Sequence, residues 1–436
     1  MQALAFAPPP PDSPEATALR HQVREVLATE LKSRTPNERA QSWSGHDREF
    51  SRTMGRHGWL GMTWPRQYGG HERTALERYV VLEEMLAAGA PVGHHWIAER
   101  QSGPSILKHG TEAQRQAILP RIAAGECAFC IGMSEPDSGS DLAAARTRAN
   151  PVQGGWLVNG QKVWTTHAHE ADYMILFCRT GAKSEDDRHS ATSQFIVDMK
   201  TAQAGGGITV RPIIDMRGAH HFNEVIIEDL LLPPESLLGQ EGEGWSQVTG
   251  ELAFERSGPD RFLSSFTLLT EAIRALAPNA PDQAAPASVT IALGRLAAHT
   301  IILRRLSRSV AAMLQSGHDP ALQASLVKDL GNTLEQETVE VIRLLVDQEP
   351  SEIEGNTALA TVLAHLVMTA PSFSLRGGTR EILRGIIARG VLEEGPHHVP
   401  GGEEVLIRSA LANSQRSREQ YYAAQVPPAA AARQLV

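Results

Sequence analysis

The period of the apolar residues changes twice along this 436-residue chain, and that double change restricts the fold more than any other feature. Ser13-Pro14 reads as an N-cap followed by a first-turn proline. Leu19, Val23, Val26, Leu27 and Leu31 then recur at the spacing of an amphipathic helix. Val80, Val81, Met85 and Leu86 form a second helical face, and Ile106, Leu107, Ile118, Leu119 and Ile122 carry the pattern to Gly125. From about Cys127 to Leu232 short β-rich runs take over, around Tyr173 to Cys178, Gln194 to Val197, Ile208 to Ile214 and Val225 to Ile227. Trp156 to Val158, Asn159-Gly160 and Lys162 to Trp164 read as a hairpin whose turn dipeptide supplies positive φ. After Pro233-Pro234 helical periodicity returns, from Trp245 to Leu276, Val289 to Met313, Leu322 to Leu345 and Thr357 to Met368. The plan is helix, sheet, helix: an α+β multidomain chain with expected divisions at 1–126, 127–232 and 233–413, and a flexible tail over 414–436.

Acid outweighs base, 50 Asp and Glu against 41 Lys and Arg, for a net charge of −9. A nucleic-acid or anionic-membrane binder needs clustered cations to neutralise phosphate, so both classes are set aside. Met1 to Pro11 has neither a basic n-region nor an apolar h-region, no apolar run approaches membrane-spanning length, and cytoplasmic placement is expected. Cys127, Cys130 and Cys178 are too few for a disulfide framework and read as core thiols in a reducing compartment. Cys127-Ala128-Phe129-Cys130 has the spacing of half a zinc site but lacks the second pair, and no metal is expected. The pairs His94-His95, His220-His221 and His397-His398 read as solvated loop residues. Arg304, Arg305 and Arg308 beside an apolar face read as a contact between helices or subunits.

Two segments carry candidate chemistry. Gly132 to Asp141 (Gly-Met-Ser-Glu-Pro-Asp-Ser-Gly-Ser-Asp) contains two small-residue turns whose N–H groups and hydroxyls suit an anion or a heteroaromatic edge. Gln161-Lys162-Val163-Trp164-Thr165-Thr166 is a strand ending in an aromatic and two hydroxyls. An ordinary surface loop and a core tryptophan remain the plainer alternatives.

Taken in order, these segments resemble the acyl-CoA dehydrogenase family of flavoproteins. So do Gly58-Trp59-Leu60 through Gly69-Gly70, Gly103-Pro104 through Gly125-Glu126, Phe222-Asn223-Glu224-Val225, Gly239 through Gly244, and Gly378-Thr379-Arg380-Glu381-Ile382. The resemblance implies an N-terminal helical domain, a middle β-domain and a C-terminal four-helix bundle, with FAD between domains and subunits. Ser134, Gly139 and Ser140 would then touch the flavin pyrimidine side and diphosphate. Trp164 and Thr166 would cover and hydrogen-bond the isoalloxazine near N5, and Thr379 and Glu381 would approach the ADP portion. Oxidation of an acyl-CoA needs a base to remove the α-proton. Most of the family places a Glu directly before Gly-Thr, where this chain has Gly377. A minority places the Glu on an earlier helix just before an Arg, where this chain has Phe254-Glu255-Arg256. Glu255 is the candidate base, Arg256 a substrate contact, and the Gly377 N–H a donor to the thioester oxygen.

Two family segments that serve a neighbouring subunit's FAD are missing. The Arg-x-x-Phe-Gly run is replaced by a Pro/Ala loop near Ala277 to Ala287, and Gln-x-x-Gly-Gly by Asp347-Gln348-Glu349-Pro350. Such a chain resembles one half of a heteromeric bacterial acyl-CoA dehydrogenase, an α2β2 assembly acting on a bulky or branched acyl-CoA such as a steroid side chain. A homotetramer is the other assembly considered, and an electron-transfer flavoprotein or similar acceptor would take the electrons. A catalytically silent scaffold subunit and a flavin oxidase or monooxygenase on the same fold remain open alternatives.

Overall fold

A computed structural model describes residues 4–182, 189–277, 285–346, 349–351, 353 and 355–393, of which 251–255 and 393 are described in backbone only. The chain divides into two compact units, 1–387 and 388–436. The helices at the start are α1 (Pro14–Glu30), α2 (Pro36–Gln41), α3 (Arg48–Arg56), α4 (Ala75–Ala87), α5 (Gly93–Ile97), α6 (Gly103–His109) and α7 (Glu112–Ala123). Ser13 caps α1, its hydroxyl accepting from the Ala16 N–H at 3.1 Å, with Pro14 following it as the sequence requires.

The strands are β1 (Phe129–Gly132), β2 (Arg148–Val152), β3 (Gly155–Thr166), β4 (Tyr173–Arg179), β5 (Thr192–Asp198), β6 (Ile208–Ile214), β7 (His220–Leu232) and β8 (Leu237–Leu238), with α8 (Met199–Ala204) between β5 and β6. They form one sheet in the order β6-β7-β3-β2-β4-β5-β8, with β1 beside β4. The expected Asn159-Gly160 hairpin is not a turn: β3 runs straight through it, and the reversal lies at Gln153-Gly154. β3 pairs with β2 on one edge and β7 on the other, and its register against β7 shifts between Val158 and Gly160. Asn159 completes the irregularity by bonding Asp229 twice, at 2.8 and 3.1 Å. A Cβ on Gly160 would lie 2.5 Å from Thr147 Oγ1. The dipeptide therefore satisfies a bulge and a close approach, which draw on the same residue types as a turn.

The later helices are α9 (Gly244–Arg256), α10 (Phe266–Leu276), α11 (Ala287–Gln315), α12 (Ala321–Leu345), α13 (Ala358–Thr369) and α14 (Arg380–Glu393). The single run expected from Trp245 to Leu276 breaks at the turn Pro259–Arg261. Within residues 1–387 the early and late helices share one core, in which Val81 and Met85 meet Leu296, Leu303 and Leu334. The sheet has its own core and a second interface, where Ile106, Leu119 and Ile122 pack on Phe129, Ile175 and Ile196. Arg304 of α11 makes an inter-helix contact with Glu83 of α4 at 2.6 Å and Arg308 reaches Asp12 ahead of α1, whereas Arg305 is exposed. No described helix is long and apolar enough to cross a membrane. The segment 278–284, Asp347-Gln348, His397-His398 and the expected tail lie outside the described residues.

Candidate functional site

The loop from Gly132 to Asp141 is held from beneath by a buried ion pair. Lys162 on β3, wholly inaccessible to solvent, donates to Glu135 at 2.8 Å and to the Met133 carbonyl at 3.0 Å. Glu135 also accepts from the N–H groups of Arg146 at 2.6 Å and Thr147 at 2.9 Å. Burial alone would raise the Glu135 carboxyl. Lys162 and these amides outweigh it and keep the group below the usual carboxylate range. Glu135 and Ser138 exchange backbone hydrogen bonds at 2.8 and 3.0 Å, and the half-buried Ser134 gives its carbonyl to the Val163 N–H at 2.9 Å. The tip, Gly139 and Ser140, is exposed, and a Cβ on Gly139 would meet nothing within 4 Å.

β3 ends in a second bulge. Its register against β7 shifts between Lys162 and Thr165, and Trp164 takes φ +60° and stands 58% exposed. A large aromatic residue with left-handed backbone is strained, and the surrounding pairing must hold it there. Asn223, fully buried on β7, does so by donating to the Thr165 carbonyl at 3.0 Å. Thr166 lines a cleft of about 140 Å³ together with Trp43, Phe222 and Phe373.

The turn before α14 forms the other part of the site. Gly377 and Gly378 have φ +66° and +99°. Buried Arg256, at the end of α9, donates to the Gly377 carbonyl at 3.3 Å, and fully buried Lys328 of α12 donates to the Gly378 carbonyl. The structure thus brings Gly377 to the helix end that carries Glu255, whose side chain lies outside the described residues. Arg376, one residue earlier, pairs with Glu335 at 3.0 Å and stacks on Trp43 and Phe373, which tie the turn to the cleft. Thr379 accepts from the Ile382 N–H at 3.5 Å, and Glu381 is exposed on the first turn of α14. A backbone amide and the Thr379 hydroxyl hold the Glu381 carboxyl below its ordinary range. Neither residue lines the Thr166 cleft, nor do Ser134, Gly139 and Ser140.

Two of the three expected solvated histidine pairs are a misreading. His94 and His95 are each 2% exposed, and His220 and His221 lie half-buried on β7. His94 Nδ1 lies 2.9 Å from His46 Nε2, the ring of His46 lies 5.4 Å from that of His167, and the ring of His167 lies 5.6 Å from that of His221. His169 and His220 stack at 3.8 Å and both bond Asn223. Burial pushes His94 and His167 down to about 3. These rings come from four separate stretches of chain, around positions 46, 94, 167 and 220, so adjacent pairs in the sequence carried no sign of the cluster. The cysteines are buried as expected, and burial raises Cys127 and Cys178 to about 12, as inert thiols. Glu135, Lys162, Lys328 and Arg217 were not singled out by the sequence, although the first two stand inside the very motifs that drew attention.

Residues 13–126 match the acyl-CoA dehydrogenase N-terminal domain and residues 130–230 the acyl-CoA dehydrogenase middle domain. Acyl-CoA dehydrogenase FadE29 of Mycobacterium tuberculosis is 32% identical over 390 residues, covering 86% of this chain and 96% of its own. A solved structure titled Tcur3481-Tcur3483 steroid ACAD superposes with a TM-score of 0.77 at 25% identity, covering 89% of this chain and 99% of its own. The ChsE4-ChsE5 complex from Mycobacterium tuberculosis gives 0.74 at 31% identity, with 88% and 99% covered. Two domain matches in order, a relative covering 86% of the chain and a shared fold over 89% of it agree: the chain belongs to the acyl-CoA dehydrogenase family of FAD-dependent oxidoreductases.

Proposed function

We propose that this chain catalyses α,β-dehydrogenation of a bulky or branched acyl-CoA thioester, with Glu255 as the base, as one subunit of a heteromeric complex with a related acyl-CoA dehydrogenase chain. One observation carries the reading of the base. Where most of the family has a Glu, this chain has a glycine at φ +66°, and its carbonyl is held by the residue that follows Glu255. A Glu at position 377 would pay the left-handed penalty of a side chain, roughly 1–2 kcal/mol. The turn is built for glycine, and in this reading Glu255, on α9, is the base in place of a residue at 377.

The residues present fit FAD. A strained, exposed Trp164, a strand hydroxyl at Thr166 opening into an aromatic-walled cleft, and open space above Gly139 suit a flat heteroaromatic ring with a phosphate tail. Trp164 and Thr166 would hold the ring, Ser134, Gly139 and Ser140 its pyrimidine side and diphosphate, and Thr379 and Glu381 the ADP end. Bound there, FAD supplies a hydride acceptor at N5 for the substrate's β-carbon. Glu255 takes the α-proton, and the Gly377 N–H donates to the thioester oxygen as negative charge gathers there. Arg256 and Lys328 fix that turn through its two carbonyls.

The missing neighbour-facing segments support the heteromeric reading, as do the two-chain names of the Tcur3481-Tcur3483 and ChsE4-ChsE5 structures. The word steroid in the first makes a steroid side chain the substrate class to try first. An electron-transfer flavoprotein or similar acceptor would reoxidise the complex. Two measurements test this. The chain expressed alone should lack stoichiometric FAD and gain it on co-expression with its partner; full occupancy and activity alone would overturn the heteromeric part. In the assembled complex Glu255→Gln should abolish turnover while retaining FAD. A near-normal rate would remove Glu255 from the mechanism.

A further inference from the structure

The cleft that Thr166 lines is also lined by Arg217, from the turn between β6 and β7, and by His221 and His365. The Arg217 side chain is only 8% exposed. Its guanidinium lies 2.5 Å from His365 Nδ1 and 3.2 Å from His221 Nε2. A guanidinium can only donate, so both ring nitrogens accept and both imidazoles are neutral. Burial keeps them so, pushing His365 down to about 3 and His221 below its ordinary value. The histidines therefore position the cation without cancelling it. Asp215 lies 3.4 Å away and does so in part, but one of its oxygens is engaged by the N–H groups of Arg217 and Ala219 at 2.8 and 2.9 Å. Arg217 Nε and His221 Nδ1 are buried with no hydrogen-bond partner among the described residues. A positioned cation in a cleft walled by Trp43, Phe222 and Phe373 suits a flat ligand that offers acceptors or negative charge.

We propose that Arg217 is a cation facing the flavin, lining with Thr166 the cleft that takes part of the isoalloxazine and stabilising the negative charge the ring gains on reduction. This rests on the FAD reading above. A positive charge in a site shielded from water favours the reduced ring over the oxidised one, and equally favours addition of sulfite, which also leaves negative charge on the ring.

The test uses the assembled, FAD-loaded complex and reads sulfite affinity and the two-electron potential. Arg217→Met should weaken sulfite binding at least tenfold and lower the potential by about 30 mV or more, the equivalent of tenfold for a two-electron couple. Arg217→Lys should keep both near the native values. Asp215→Asn, which keeps an oxygen for the two amides but removes the opposing charge, should move both the other way, and serves if Arg217→Met fails to fold. Unchanged sulfite affinity and potential in Arg217→Met, or in Asp215→Asn where the first variant is lost, would reduce Arg217 to a tie between a turn and α13. A native complex without FAD would instead overturn the cofactor reading itself, and this inference with it.

Discussion

Trp164 and Gly377 share a backbone conformation, at φ +60° and +66°, and are held in it by contrasting means. Trp164 pays for its geometry, since a side chain in the left-handed region costs roughly 1–2 kcal/mol. Pairing of Thr165 and Thr166 with β7, the bond from the Val163 N–H to the Ser134 carbonyl and the Asn223 amide on the neighbouring carbonyl impose it. Gly377 pays nothing, and its turn is fixed by two buried cations acting on carbonyl oxygens. The difference separates two duties. The sheet side must present a large aromatic face, so it stores strain in a rigid frame. The turn must present backbone groups, so it gives up a side chain and relies on charge.

Breaking the frame beneath the sheet side should have the largest effect. Lys162→Met leaves Glu135 charged and buried, a loss of about 3–5 kcal/mol in urea unfolding. FAD retention in the complex should fall with it. Replacing both partners by apolar residues should recover part of the stability, and a single variant as stable as the native chain would show the pair is not what holds the loop.

Acid should act next, through the buried histidines of the ring cluster and the cleft. His94, His167 and His365 are held near 3 against an ordinary 6.5, so the unfolded chain takes up protons that the folded chain refuses. Their neutral burial is fully tolerated above about pH 6.5, and stability is lost as pH falls from there towards 3, at up to about 1.4 kcal/mol per pH unit for each ring. Urea midpoints between pH 7.5 and 5 measure the slope. His365→Gln should flatten it, whereas a change at the glycine turn should leave it alone.

Gly377→Ala sharpens the comparison from the other side. It should cost about 1–2 kcal/mol, from the left-handed backbone alone, and lower turnover while FAD stays bound. A stability loss within 0.5 kcal/mol, the usual range for a neutral surface change, would mean that the turn relaxes easily. The smallest effect on stability belongs to Trp164→Phe, expected within about 0.5 kcal/mol because the indole is mostly exposed. Its signature should be flavin fluorescence in the complex, which would change even though the melting temperature does not.

Local pattern carried the helices and strands well, because their apolar periods are long and their caps chemically explicit, as at Ser13-Pro14. It failed at Asn159-Gly160, where a bulge inside a twelve-residue strand uses the same dipeptide as a turn. It also failed at the histidine pairs, since burial of a half-polar ring depends on what folds over it. The quoted motifs pointed to the right loop, strand and turn, yet the residues that hold them in place went unread. Lys162 and Glu135 are 27 positions apart, and Lys328 and Gly378 are 50.

The sequence by itself determined the order of helices and sheet, the family, and the absence of a carboxylate at position 377, since each is written in consecutive residues with strong local preferences. Only the tertiary structure decided that Trp164 is exposed under strain, that buried cations grip both carbonyls of the glycine turn, and that Arg217 lies among neutral histidines beside Thr166. Those facts depend on which distant side chains share a low-dielectric interior. There the cost of an unpaired charge or an unfilled hydrogen bond is set by neighbours in space, not in sequence.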